Sequence, residues 1–459
     1  MPKQEKHADP DSLLGQLQRG RGEAYRRILT IPKTQGWDLL LDCICNDPRL
    51  DSQVENRAEY YAALVIETDM ELEPVLHYVR AYDRDEQGWN TPLAVETLGE
   101  LAKRGYKDSA CRLSDYVGWG QWWDWILNNL CAVQDPALHR EIAHRVEARY
   151  PEESQLEEAL AWFNLEDEPW VTLARYSARI SGLRSRPRRL SGTPEEQRLP
   201  SNASSFTVGD LLALADEKNR HKVRKVMKQA VKLSDLSTLK DAVSLEKPFI
   251  SDVALAGIAH LGHPSVLPWL IGLWSANPEM PGFLRARMCE AFVALRPELT
   301  LPLARERLHH PDWHERHLAE ELFEAHATPD DIPLLRNAIM DALQDDCENC
   351  YRICNLIQAF SNLPNSGPIP ELMSVFVRFR YSYGRGRAAA AIHVTSPDFF
   401  VESVAEECLW DCEATTRALA AKRTPLETAA ARARLGGLAS DLWEDEDVRT
   451  EARLRVTKG

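Results

Sequence analysis

The chain has 459 residues, is 44 % apolar and 27 % charged, and carries a formal charge of −15. This composition fits a folded protein and excludes a disordered chain, the length exceeds one compact core, and the acidity argues against a general nucleic-acid binder, whose surface is net basic. No run of 18 apolar residues stands out as a membrane span, the opening MPKQEKHADPDS has no apolar leader core, and most of the ten cysteines fall inside apolar helical patterns. A cytoplasmic setting without a disulfide framework is therefore expected.

Apolar residues at helical spacing predict helices at 11–29, 35–46, 55–66, 71–81, 91–104, 107–117, 119–131, 135–149, 153–163 and 170–181. The 93–117 pair bends at Gly105. WGQWWDWILNNL (119–130) holds four tryptophans within seven residues. Trp119, Trp122, Trp123 and Trp125 cannot all enter one narrow seam, so one or two are expected at a surface, where tryptophan anchors partners, with Trp122, Trp123 and Trp125 the candidates. Packing between repeats, with the indole N–H groups satisfied locally, is the competing reading. Residues 182–206, rich in Gly, Pro, Ser and Arg and without apolar period, predict a linker between an N-terminal block (11–181) and a C-terminal block (207–459).

Charge is uneven. Between Arg175 and Lys240 stand 15 Lys or Arg against 6 Asp or Glu, a local surplus of 9. Lys218, His221, Lys222, Lys225, Lys228 and Lys232 fall on one helical arc of about 120°, opposite Val223, Val226, Met227, Ala230 and Val231. The stripe suits phosphate or an acidic protein surface; a solvated helix face is the default. No aromatic residue interleaves with the lysines, which argues against single-strand stacking.

Pro264, Pro297, Pro329, Pro364 and Pro397 then recur at intervals of 33, 32, 35 and 33 residues. Leu267-Pro268, Leu301-Pro302, Ile332-Pro333 and Ile369-Pro370 follow the first four. Such periods mark stacked helical hairpins, because one hairpin cannot bury its own apolar face. In SDVALAGIAHLGHPSVLPWLIGLWS (251–275), Val253, Ile258 and Leu261 stripe the first helix, and Leu267, Leu270, Ile271 and Trp274 the second. Gly262 and Pro264 punctuate the turn. Thr328-Pro329 and Ser396-Pro397 place a capping hydroxyl before a first-turn proline, and Asp312 with Glu315 has the spacing of a capping-box variant.

AHLGHPSVLPWL (259–270), ALRPELTLPLA (294–304), AHATPDDIPLL (325–335), SNLPNSGPIPEL (361–372) and the degenerate HVTSPDFFVESV (393–404) resemble HEAT repeats, especially the short HEAT-like units of phycobilisome lyases. The resemblance implies an all-α fold, an α-α superhelix in two blocks. Its members include scaffolds, bilin lyases and alkylpurine glycosylases, so it does not single out a function.

Two constellations invite a metal. Cys347, Cys350 and Cys354 share a helix edge, with Cys408 and Cys412 further on; His314, His317, Glu321 and Glu324 share a polar helix face. Helical hydrophobes and a self-paired polar face are the defaults. No glycine-rich phosphate loop, nucleophile elbow or kinase signature occurs, so no catalytic residue, metal or cofactor is assigned. The expectation is a non-enzymatic scaffold that binds a protein along a groove of second helices. Trp269, Trp274, Arg305, Arg307, Arg336 and Arg378 are its candidate anchors beside the tryptophan run, and Lys218, Lys222, Lys225, Lys228 and Lys232 its candidate anion contacts. A glycosylase-like nucleic-acid enzyme and a bilin-lyase-like factor are the alternatives.

Overall fold

Prolines set the helix starts, and neighbouring helices supply the dry surface that each lacks. The structure, a computed structural model, describes residues 7–83, 91–185, 206–346 and 348–458. Among them there are helices and turns and no strand, so the fold is all-α. The residues group into two compact units.

The second unit takes residues 206–372 with 394–396. Its first helices, Arg220–Ala230, Pro248–Leu261, Gly282–Val293, Trp313–His326 and Cys350–Ala359, pack side by side in chain order. The second helices Leu236–Ala242, Leu267–Ala276, Pro297–Arg307 and Ile332–Ala342 each pack on the first helix that follows. Val253, Ile258, Leu270, Phe292, Leu322, Phe323, Leu335, Ile339 and Ile353 are buried along this seam.

The proline pairs work differently in different hairpins. Pro264–Val266 and Pro329–Asp331 form single 3₁₀ turns, and Pro268 and Pro333 then occupy the first turns of α-helices, where the missing N–H costs nothing. Pro302 instead lies inside Pro297–Arg307. Gly262 ends its helix at φ +52, a conformation that side chains with a Cβ resist. Thr328 does cap, its N–H and hydroxyl both donating to Asp331 at 2.9 and 2.7 Å. The Asp312 carboxylate accepts from the His314 N–H, but Glu315 does not close a capping box. It accepts from the Trp274 indole at 3.0 Å and pairs with Arg307, tying three successive hairpins together.

The first unit departs from the expected blocks: residues 373–393 and 397–458 belong with residues 7–185, not with the hairpins that precede them. Most of the expected linker, 186–205, lies outside the described residues; 182–185 end the helix Ala178–Ser185. The predicted 11–29 helix breaks into Leu13–Gln18 and Gly22–Ile28 around Gly20 at φ +66. The break is forced, because this segment meets residues 407–412. A Cβ on Gly22 would lie 1.9 Å from the Glu407 carbonyl oxygen, and one on Gly20 would lie 2.5 Å from Cys412 Sγ.

Largely buried ion pairs and hydrogen bonds join the two stretches. Arg57 and Arg385 are fully buried. Arg57 donates to Glu55 at 3.0 Å and faces Cys412 Sγ at 2.9 Å. Arg385 reaches Asp411 and the Arg19 carbonyl. Arg417 bridges Glu444 (3.0 Å) and Glu59 (3.1 Å), and Arg21 holds Glu407 through two nitrogens. At the C-terminal end, Glu446–Lys458 packs on Ala414–Arg423 and Ala429–Ser440, with Val448 and Ala452 buried. Removing one partner of such a pair leaves the other charged and dry. Arg57→Met is expected to cost about 3–5 kcal/mol of the first unit's stability by urea unfolding; a loss below about 1 kcal/mol would mean the pair is as weak as a solvated one.

Candidate anion-binding face

The lysine stripe exists as a surface. Asp216 and Asn219 form a polar turn: Asp216 Oδ1 accepts from the N–H groups of Lys218 and Asn219, both at 2.9 Å. The helix Arg220–Ala230 follows, burying Val223 and Met227 completely. Lys218, His221, Lys222, Lys225, Lys228 and Lys232 are all exposed.

On the flank of this stripe is a cluster that period alone did not reveal. The Asp252 carboxylate, shut from solvent on Pro248–Leu261, collects guanidinium groups from the helices on both sides. Arg224 Nη1 lies 3.1 Å from both of its oxygens, Arg287 Nε is at 3.1 Å and Arg220 Nη1 at 4.0 Å. Arg287 also pairs with Glu290, and Arg224 touches His221 Nδ1. A guanidinium only donates, so that imidazole nitrogen accepts. Phe249 and Phe283, both half-exposed, stack at 6.0 Å, with Arg220 over them at 5.5 and 4.5 Å. Aromatics thus do stand beside the basic helix, brought there by the next two first helices. The available signal was Asp252 itself, a lone acid in the apolar run SDVALAGIAHL, which must find cations when buried.

Three of the candidate groove arginines, Arg305, Arg307 and Arg336, are paired within the chain. Arg305 Nε donates to Asp331 (2.7 Å), Arg336 makes a two-pronged pair with Glu371 (2.7 and 2.9 Å), and Arg307 pairs with Glu315. They clip segments of the second unit together. Trp274 is 3 % exposed, packed edge-on against Phe292 and under Arg285, which withdraws it from any surface. Trp269 is half-exposed beneath Lys240. Arg378, in the first unit, is exposed, and its carbonyl accepts from Arg19 Nε.

The tryptophan run is a turn, not the predicted helix. Helix resumes only at Leu127–Ala132. Buried Asp83 holds the turn, accepting from the Tyr116 hydroxyl at 2.5 Å and the Gln121 N–H at 2.7 Å. Trp123 is buried beside Trp170 and under Arg149; Trp122 is half-buried, its indole donating to Thr91; Trp125 is 43 % exposed.

Among the described residues no group of three His, Cys, Asp or Glu side chains could hold a metal ion. Cys347 lies outside them. Cys354, Cys408 and Cys412 are buried, and burial raises the Cys408 and Cys412 thiols well above the ordinary range. His317 stands 3.8 Å from Glu321. No protein-family model, curated protein or solved structure matches the chain.

Beside this helix face, burial pushes the Glu320 carboxyl up to about 7 despite Arg352 Nε at 3.0 Å. Its unfolded value is 4.5, so the native state binds the proton more tightly. The contribution is fully present below the unfolded value and is lost as pH rises through about 7. Urea titrations across that window should show the second unit losing stability as pH rises; Glu320→Gln should flatten the slope.

Proposed function

We propose that this chain is a non-enzymatic, HEAT-like adaptor that docks an acidic partner protein on the cationic face of its second unit. The observation that carries this reading is the exposed lysine stripe on Arg220–Ala230, backed by three arginines sharing one buried carboxylate. In a chain of net charge −15, so local a concentration of cations focuses attraction on one face and repels acidic surfaces elsewhere. Arg305, Arg307 and Arg336 are occupied by internal carboxylates, which favours the lysines as the docking contacts. Trp125, exposed in the first unit, remains a secondary anchor.

A second reading, nucleic-acid binding, is favoured by the Phe249–Phe283 stack beside Arg220, since aromatic and basic groups together suit bases and phosphates. The chain's acidity weighs against it.

A photo-crosslinker at the exposed position 229, beside the lysines, should capture a discrete protein in cells. Lys225→Glu/Lys228→Glu/Lys232→Glu should abolish capture while leaving the circular dichroism unchanged, and capture that persists in this variant counts against the reading. A salt-sensitive gel shift on duplex DNA that these substitutions eliminate would favour the second reading instead.

A further inference from the structure

We infer that the arginines around Asp252 form a receptor for a phosphomonoester carried by the docked partner; this rests on the docking role proposed for the same face. Three side chains, Arg220, Arg224 and Arg287, converge on the carboxylate while only 20, 17 and 14 % exposed. Asp252 neutralises one charge, and Glu290, on Arg287, a second. Among the described residues one guanidinium charge is left without a carboxylate, in a place that water only partly reaches, where an unmatched charge is costly.

Two further features aggravate the imbalance. Arg220, His221 and Lys222 fill the first turn of Arg220–Ala230, which itself holds no acidic residue, the nearest being Asp216 in the preceding turn, whose carboxylate accepts from the Lys218 and Asn219 N–H groups. That end of a helix carries the positive pole of the peptide dipoles and favours anions over cations. The Arg220 Nε is buried without a hydrogen-bond partner, although its guanidinium is held in place over Phe283 and Phe249. Among the described residues that one N–H has no partner, while Nη1 faces Asp252. An anion beside Arg220 and Arg224 would answer the surplus charge, the dipole and the idle N–H together.

The chemistry of the donors selects the anion. Guanidinium forks match tetrahedral oxyanions with two parallel hydrogen bonds each. A phosphomonoester offers three terminal oxygens and a charge of about −1.5 to −2, enough for the surplus and the helix pole combined. A nucleic-acid phosphodiester brings one charge and two free oxygens, and gains strength only when several line up. The compact arginine cluster suits the single dense charge, and the lysine stripe suits the acidic residues around it.

Fluorescence anisotropy on the full chain tests this with three probes: a glutamate- and glycine-rich peptide carrying one phosphoserine, its unphosphorylated twin, and a short duplex DNA. The phosphopeptide should bind about ten-fold more tightly than the twin. Arg220→Gln should erase that difference, and Arg220→Lys, which keeps the charge but not the fork, should erase most of it; Lys232→Gln should weaken both peptides alike. Equal binding of the two peptides, with the lysine dependence intact, overturns the phosphate receptor and leaves the docking face standing. If neither peptide binds, the receptor and the docking face are both overturned. Duplex DNA binding more tightly than the phosphopeptide overturns the receptor in favour of a nucleic-acid ligand.

Discussion

A helical hairpin carries an apolar stripe that only another hairpin can cover, and the rest of this structure follows from that constraint. In the second unit the answer is serial: the three middle first helices each lie between two others, and each second helix leans on the next first helix. Polar clips such as Arg305–Asp331 and Arg336–Glu371 join segments distant in sequence without entering the dry seam. In the first unit the partners come from both halves of the chain. Close-packed glycines at 20 and 22 let residues 407–412 approach, and buried arginines neutralise the carboxylates brought in with them.

The same arginine–carboxylate chemistry has two outcomes in one molecule. Around Arg57, Arg385 and Arg417, buried cations meet Glu55, Asp411, Glu59 and Glu444, so the network closes on itself and serves cohesion. Around Asp252 a single buried carboxylate faces three guanidiniums, and the imbalance lies beside exposed lysines. Closure belongs to an interior; surplus belongs to a surface that is waiting for charge.

Local features were legible in the sequence. The hairpins at 248–276 and 313–342, the bend at Gly105, the cap at Thr328 and the exposed lysines all follow from period and turn chemistry, which act over a few residues. What escaped is nonlocal. Nothing in WGQWWDW announces that Asp83, some forty residues earlier, will hold it as a turn. The groove arginines read as free because their acids, Asp331 and Glu371, lie a full repeat away. The division into blocks followed chain order, whereas the pairing of 7–185 with 373–393 and 397–458 depends on buried charge pairs that leave no periodic trace.

That pairing bears on how the protein is made. Domains usually fold as they leave the ribosome, the earlier before the later. Here residues 206–372 are nearly contiguous and can assemble as soon as they emerge. The opening helices must wait, with Arg21 lacking Glu407 and Arg57 lacking Cys412 and Glu413, until those residues have been synthesised. The part of the chain born first is therefore the last to be finished.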